Sequence, residues 1–164
     1  MTYLNNVYFV VIGDGDVKNE LVKLSRDLNV AGKVIFTGRI PFHQLAYLTK
    51  YAHIGISLEE NMGLNYYYAL PNKLFDYIRA HVPVLASPLP EIRNIVEKHT
   101  IGLTIEQHDA KHIAEKIDFM LTNENARREW KNNLKKIAPL FCWEKEKEKL
   151  LAIFREAGGD TSHK

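Results

Sequence analysis

The chain has 164 residues, 46% hydrophobic and 26% charged, which is enough for one well-packed domain and too few for two ordinary ones. Its formal charge of +2, with basic and acidic residues interleaved, argues against nucleic acid as a partner. A lone cysteine, Cys142, excludes an intramolecular disulfide, and no apolar run is long enough for a bilayer span or a signal-peptide core, so a soluble protein of a reducing compartment is expected.

From the amino end, Val7 to Ile12 (VYFVVI) reads as a strand buried on both faces, ended by the turn Gly13-Asp14-Gly15-Asp16. Val17, Leu21, Leu24 and Leu28 then recur at helical spacing, with Asp16 available as a cap, and Gly32 clears the way for a short strand, Val34 to Thr37. Pro41 opens a second helix predicted to turn Leu45, Leu48 and Ala52 inward, and Ile54 to Leu58 reads as a third strand. Glu59 to Leu70 has no clean period and holds Tyr66, Tyr67 and Tyr68 in a row, the mark of a loop with large side chains, one or two of them packed beneath it.

Pro71 suits the first turn of the next helix and leaves the amides of Asn72, Lys73 and Leu74 at the positive end of its dipole, a natural seat for phosphate. Asn72, Asp76 and Arg79 share one face of that helix, while Leu74, Phe75 and Ile78 supply apolar contacts. Exposed pairing of Asp76 with Lys73 or Arg79 is the plain alternative to a ligand role. A strand at Pro83 to Ala86 follows, then a helix from about Glu91 to Lys98, Gly102 as its C-cap and a strand at Leu103 to Ile105. Asp109 is predicted to cap a helix with Ile113, Ile117 and Leu121 inward, and the next helix aligns Trp130, Leu134 and Ile137. Trp143 to Ala157 closes the fold with a charged outer face and Leu150, Leu151 and Phe154 as its buried side, and residues 158–164 are expected to form a disordered tail.

Strands alternating with helices imply a Rossmann-like α/β fold, a parallel sheet with helices on both faces and ligands beyond the carboxyl ends of the strands. The turns at Gly13 and Thr37-Gly38-Arg39, the tyrosine loop and the Pro71 helix start all fall at such ends. Other chemistry is weaker in the residues: Asp14-Gly15-Asp16 has the spacing of a divalent-cation motif yet suits a tight turn, and His108 and His112 are separated by a predicted cap at Asp109. Cys142 reads as an inert, half-buried thiol.

The run VVIGDGDVKNELVKLSRDLNVAGKVIFTGRI, then HIGISL, then LPNKLFDYIRAHVPVLAS followed by PEI, resembles the carboxy-terminal donor-binding domain of retaining glycosyltransferases of the GT-B fold, the group 1 type that builds bacterial surface glycans. The likeness covers about residues 7 to 157. It implies that Gly13, Asp14 and Gly15 turn beside the donor, Arg39 and Ile40 lie by the nucleobase, Pro71, Asn72, Lys73 and Leu74 receive the diphosphate, and Asp76 holds the ribose. The family has glutamate at the place of Asp76, and its second glutamate falls on Tyr68, so Asn65, Tyr66 or Glu60 is left to meet the sugar. The implied co-substrate is a nucleotide sugar, UDP- or GDP-linked, with no metal or other cofactor, and the implied acceptor is a glycan or lipid-linked molecule.

The family's domain opens with a strand and helix bearing a G-R…K-G pattern whose basic residues steady the leaving diphosphate, and the likeness starts at its second strand. An amino-terminal acceptor domain is also outside the likeness. The expectation is therefore a partial domain, inactive alone, in which the Val7 strand meets the Ile54 strand directly or a second chain, as in a dimer, fills the gap. The resemblance implies a cytoplasmic protein, with room for peripheral contact at the inner face of the membrane through a longer enzyme. A nucleotide-sugar epimerase of similar architecture and a non-catalytic nucleotide-binding or scaffold module are the competing readings.

Overall fold

The computed structural model describes residues 1–158; of the predicted tail, Gly158 ends the last helix and 159–164 lie outside the described residues. Five parallel strands alternate with helices. The order is β1 (Phe9–Ile12), α1 (Lys18–Asp27), β2 (Val34–Gly38), α2 (Phe42–Thr49), β3 (Gly55–Ser57), α3 (Leu64–Tyr67), α4 (Asn72–Ala80), β4 (Val84–Ala86), α5 (Pro90–Lys98), β5 (Gly102–Thr104), α6 (Ala110–Thr122), α7 (Glu124–Ile137) and α8 (Trp143–Gly158). Short 3₁₀ turns at Ala31–Lys33 and Ala138–Phe141 precede β2 and α8.

The strands form two sheets. β1 pairs with β2, and β3, β4 and β5 form the other sheet in that order, all parallel. The direct pairing of the first strand with the third, one of the sequence expectations, does not occur. That break has a physical cost visible in burial. Val84, Leu85 and Ala86 of β4 are fully buried, as a strand covered on both faces should be. Phe9 and Val10 of β1 are 40% and 48% exposed, so the expectation of a doubly buried first strand fails.

The core lies around β3–β5. Leu74 and Ile78 from α4, Ile92, Ile95 and Val96 from α5, and Leu134 and Ile137 from α7 pack on one side. Leu85, Ile105, Met120 and Trp130 form a second cluster, with Ile54, Ile56, Ile113 and Ile117 partly buried against it. Helical spacing delivers these residues to one face of each helix, and burying each large aliphatic side chain contributes about 1.5–3 kcal/mol.

Asp109 caps α6 as predicted, its carboxylate accepting the N–H groups of Lys111 and His112. Asn123 caps α7 in the same way through Ala126. Asp16 does not cap α1; Val17 holds that position. The predicted loop after β3 contains the single helical turn α3, opened by Gly63. Gly102 is no C-cap but the first residue of β5, where a Cβ would run into the carbonyl of Val84; the left-handed residue after α5 is Thr100, at φ 48°. On α2 it is Thr49 that is buried, while Leu48 is 44% exposed. On α8, Leu150, Leu151 and Phe154 are exposed, which reverses the predicted buried side, because among the described residues that helix contacts chiefly the 3₁₀ turn before it.

Candidate nucleotide site at the strand ends

The turns after β1 and β2 are bound to each other: the Gly13 N–H donates to the Gly38 carbonyl at 3.0 Å. Gly13 at φ 144° and Gly38 at φ 71° take backbone conformations that side chains with a Cβ resist, so these glycines are required by geometry. Asp14 is occupied locally, accepting the Gly15 N–H at 3.2 Å and pairing with Lys18 at 3.4 Å. Arg39 and Ile40 follow directly, with Arg39 exposed and free of any ion pair among the described residues.

The second group of residues gathers where β3 ends and α4 begins. Pro71 stands just before the first turn of α4 in extended backbone and, unlike the prediction, outside the helix itself. Its carbonyl accepts the Leu74 N–H at 3.0 Å, so of the three amides expected to be open, that of Leu74 is taken. Those of Asn72 and Lys73 are not committed to any group among the described residues and face the positive end of the dipole.

Tyr77 fixes α4 against β3. Its ring occupies the space that a side chain at Gly55 would need, and its hydroxyl donates to the Ile56 carbonyl at 3.4 Å. Burial pushes the Tyr77 hydroxyl above its ordinary pKa, and the negative charges of Asp76 and Glu59 nearby push the same way. Asp76 is half-buried, and desolvation raises its carboxyl above the usual carboxylate range while the Arg79 guanidinium partly offsets this. It pairs with neither Lys73 nor Arg79 as a salt bridge.

Lys73 instead reaches across to Glu59, with Nζ 2.6 Å from Oε1. The other oxygen of Glu59 accepts the hydroxyl of Ser57 at 2.9 Å, and Ser57 is fully buried at the end of β3. Glu59 and Ser57 were not among the sequence candidates. Their i, i+2 spacing along an extended segment, which puts both side chains on one side, was the available signal.

Asn65 and Tyr66 lie in α3, both exposed, and Tyr67 meets Tyr68 edge to face at 4.9 Å between ring centres. The tyrosines are exposed rather than packed beneath the loop. At the neighbouring strand ends, the Ser87 hydroxyl and His108 Nε2 are 3.4 Å apart, and Glu106 holds His112 and Lys116 at 2.6 and 2.8 Å. The Lys116 ammonium draws the Glu106 carboxyl below the usual range. Cys142 is half-buried and points its thiol at the Pro139 carbonyl, 3.2 Å away.

The family model for glycosyl transferases group 1 matches residues 2–137. This chain belongs to the group 1 glycosyl transferases. Over 108 residues this group 1 chain is 32% identical to the alpha-monoglucosyldiacylglycerol synthase of Streptococcus pneumoniae, a match covering 64% of the chain and 23% of the relative. It superposes on the sucrose-phosphate synthase of Thermosynechococcus elongatus with a TM-score of 0.78, at 20% identity, over 93% of this chain and 39% of that one. It also superposes on WaaG, a glycosyltransferase involved in lipopolysaccharide biosynthesis, with a TM-score of 0.69 at 19% identity, over 84% and 36% of the two chains. The architecture, parallel sheets flanked by helices, is that of these GT-B neighbours. This group 1 chain therefore spans less than half the length of the relatives it matches.

Proposed function

We propose that this chain is the donor-binding part of a glycosyltransferase that holds a nucleoside diphosphate sugar for transfer to a glycan or lipid-linked acceptor. The observation that carries this reading is the grouping at the start of α4: Lys73, tied through Glu59 to the buried end of β3, the open amides of Asn72 and Lys73, and the half-buried Asp76 one turn on. An ammonium and oriented amides at a helix start suit a diphosphate, and a desolvated carboxylate suits the paired hydroxyls of a ribose. The ammonium and the amides complement the charge of the leaving diphosphate as the glycosidic bond breaks, so the reading needs no metal ion. The base then lies toward Arg39 and Ile40, beyond the Gly13 to Gly15 turn, and the sugar toward Asn65 and Tyr66 of α3. Completion of the chemistry falls to parts of the longer relatives outside the matched region, and the natural setting of such a donor is the cytoplasm, with the acceptor side at the inner face of the membrane.

The test is calorimetric titration of the chain with UDP, GDP and ADP. One of the three is expected to bind, with Lys73→Ala weakening it by about tenfold or more, equivalent to about 1.4 kcal/mol. Absence of binding by all three, with the chain folded by circular dichroism, overturns the donor reading and favours a scaffold module.

A further inference from the structure

Lys73 is the cation that the start of α4 offers to a phosphate, and it is already engaged. Its ammonium lies 2.6 Å from Glu59, a carboxylate only 18% exposed and anchored through its second oxygen to the buried hydroxyl of Ser57. The Ser57 anchor sits in a strand register fixed by pairing with Ala86, and the helix carrying Lys73 is fixed by Tyr77 against Gly55 and Ile56. Both partners of the ion pair are thus held from rigid elements, which makes the pair a built feature and not a chance meeting of surface chains.

We propose that Glu59 is an internal competitor for the phosphate: its carboxylate occupies the ammonium of Lys73 until a diphosphate displaces it, and recaptures Lys73 as the nucleotide leaves. The inference rests on the phosphate seat proposed above. Two anions cannot both be fully satisfied by one ammonium, and a carboxylate left beside a bound diphosphate repels it. Binding therefore exchanges one short charge-assisted contact for another, and Glu59 sets both the affinity and the rate of release. Glutamine at position 59 keeps an oxygen for the Ser57 hydroxyl and removes only the charge, so the local anchor survives the substitution.

Titrations with pyrophosphate and with UDP, GDP and ADP are compared for the parent chain, Glu59→Gln and Glu115→Gln. Glu115 is an exposed carboxylate on α6, outside the candidate site, which makes no ion pair among the described residues and reports the general effect of removing one negative charge. Glu59→Gln is expected to tighten binding about fivefold, the scale of a partly exposed ion pair, with the gain carried by slower dissociation in stopped-flow experiments. Glu115→Gln is expected to change affinity by less than about twofold. Equal gains in the two variants, or unchanged or weaker binding in Glu59→Gln, overturn the competitor role while leaving the donor reading intact. Pyrophosphate binding that tightens in Glu59→Gln while no nucleotide binds supports the competitor and overturns the nucleotide reading. Failure of every probe with all three folded chains overturns both.

Discussion

Asp76 carries a charge that its surroundings resist. Desolvation raises its folded pKa above the unfolded value and Arg79 only partly offsets it, so the folded state binds this proton more tightly than the unfolded chain does. The sign follows: this carboxyl costs stability as pH rises through its titration, and the cost is absent at acid pH where both states are protonated. Asp76→Asn is therefore expected to raise the urea midpoint at neutral pH, with the difference shrinking toward pH 4, a comparison that equilibrium denaturation at several pH values makes directly. Nucleotide affinity should respond in the opposite sense, since only the carboxylate accepts from ribose hydroxyls: it should begin to fall at a higher pH than an ordinary aspartate, near pH 3.9, would dictate. A pH profile of affinity that is the same in Asp76→Asn excludes a ribose role. The sequence placed Lys73 and Asp76 on the opening turns of a helix because Pro71 and the helical spacing mark its start, and the structure has both on α4. Glu59 was not legible there, because its meaning depends on a contact between two elements, Lys73 on α4 and the end of β3.

Gly102 shows where reading elements from local signals stops. A glycine shortly after a helix is the usual sign of a C-cap, and that rule gave the wrong role here. Thr100 takes the left-handed conformation instead, and Gly102 is required because β5 approaches β4 so closely that a Cβ would strike the Val84 carbonyl. Backbone on one strand cannot yield to a side chain on the next without breaking their pairing at Val84 and Gly102. Gly102→Ala is thus expected to destabilise the fold at the upper end of, or beyond, the range of about 1–3 kcal/mol for overpacking, read from chemical denaturation. A loss under about 0.5 kcal/mol would falsify the steric account. The periodic stripe of α7 was read correctly because it packs on the buried sheet: Trp130, Leu134 and Ile137 are all buried. The stripes of α1 and α8 are equally regular, yet Leu21, Leu24 and Leu28 are 41–50% exposed, and Leu150 and Leu151 are 43% exposed. Periodicity states which residues share a face and says nothing of whether that face finds a partner.

Across the whole molecule, the same distinction separates two regions of unequal strength. Among the described residues, Leu4 and Val30 are the only buried hydrophobic residues before Leu74, and the two core clusters draw their buried members from Leu74 onward. β1 and β2 hold each other through one pair of strand edges, with Phe9, Val10 and Ile35 all at least 40% exposed, and the α1 stripe adds little cover. Since burial supplies most of the free energy that resists opening, the free energy of local unfolding must differ along the chain. Amides of β1, β2 and α1 are expected to exchange with deuterium through a low-energy opening that leaves β3, β4, β5, α5 and α7 protected. Those protected amides should exchange only in the global transition, and their protection should fall with Leu134→Ala, which removes about 2–5 kcal/mol from the core. The amino-terminal amides should respond far less, because their opening does not pass through that core. Uniform protection along the chain, or an equal loss in both regions on Leu134→Ala, would show instead that the two sheets unfold as one unit. The donor contacts proposed above would span this division: Gly13 and Arg39 belong to the weaker region, while the Asn72 to Asp76 end of α4 rests on the stronger. A nucleotide that bridges the two would bind only while the weaker region is closed and would stabilise that closed state at some cost in affinity, so ligand-induced protection should appear first at β1 and β2.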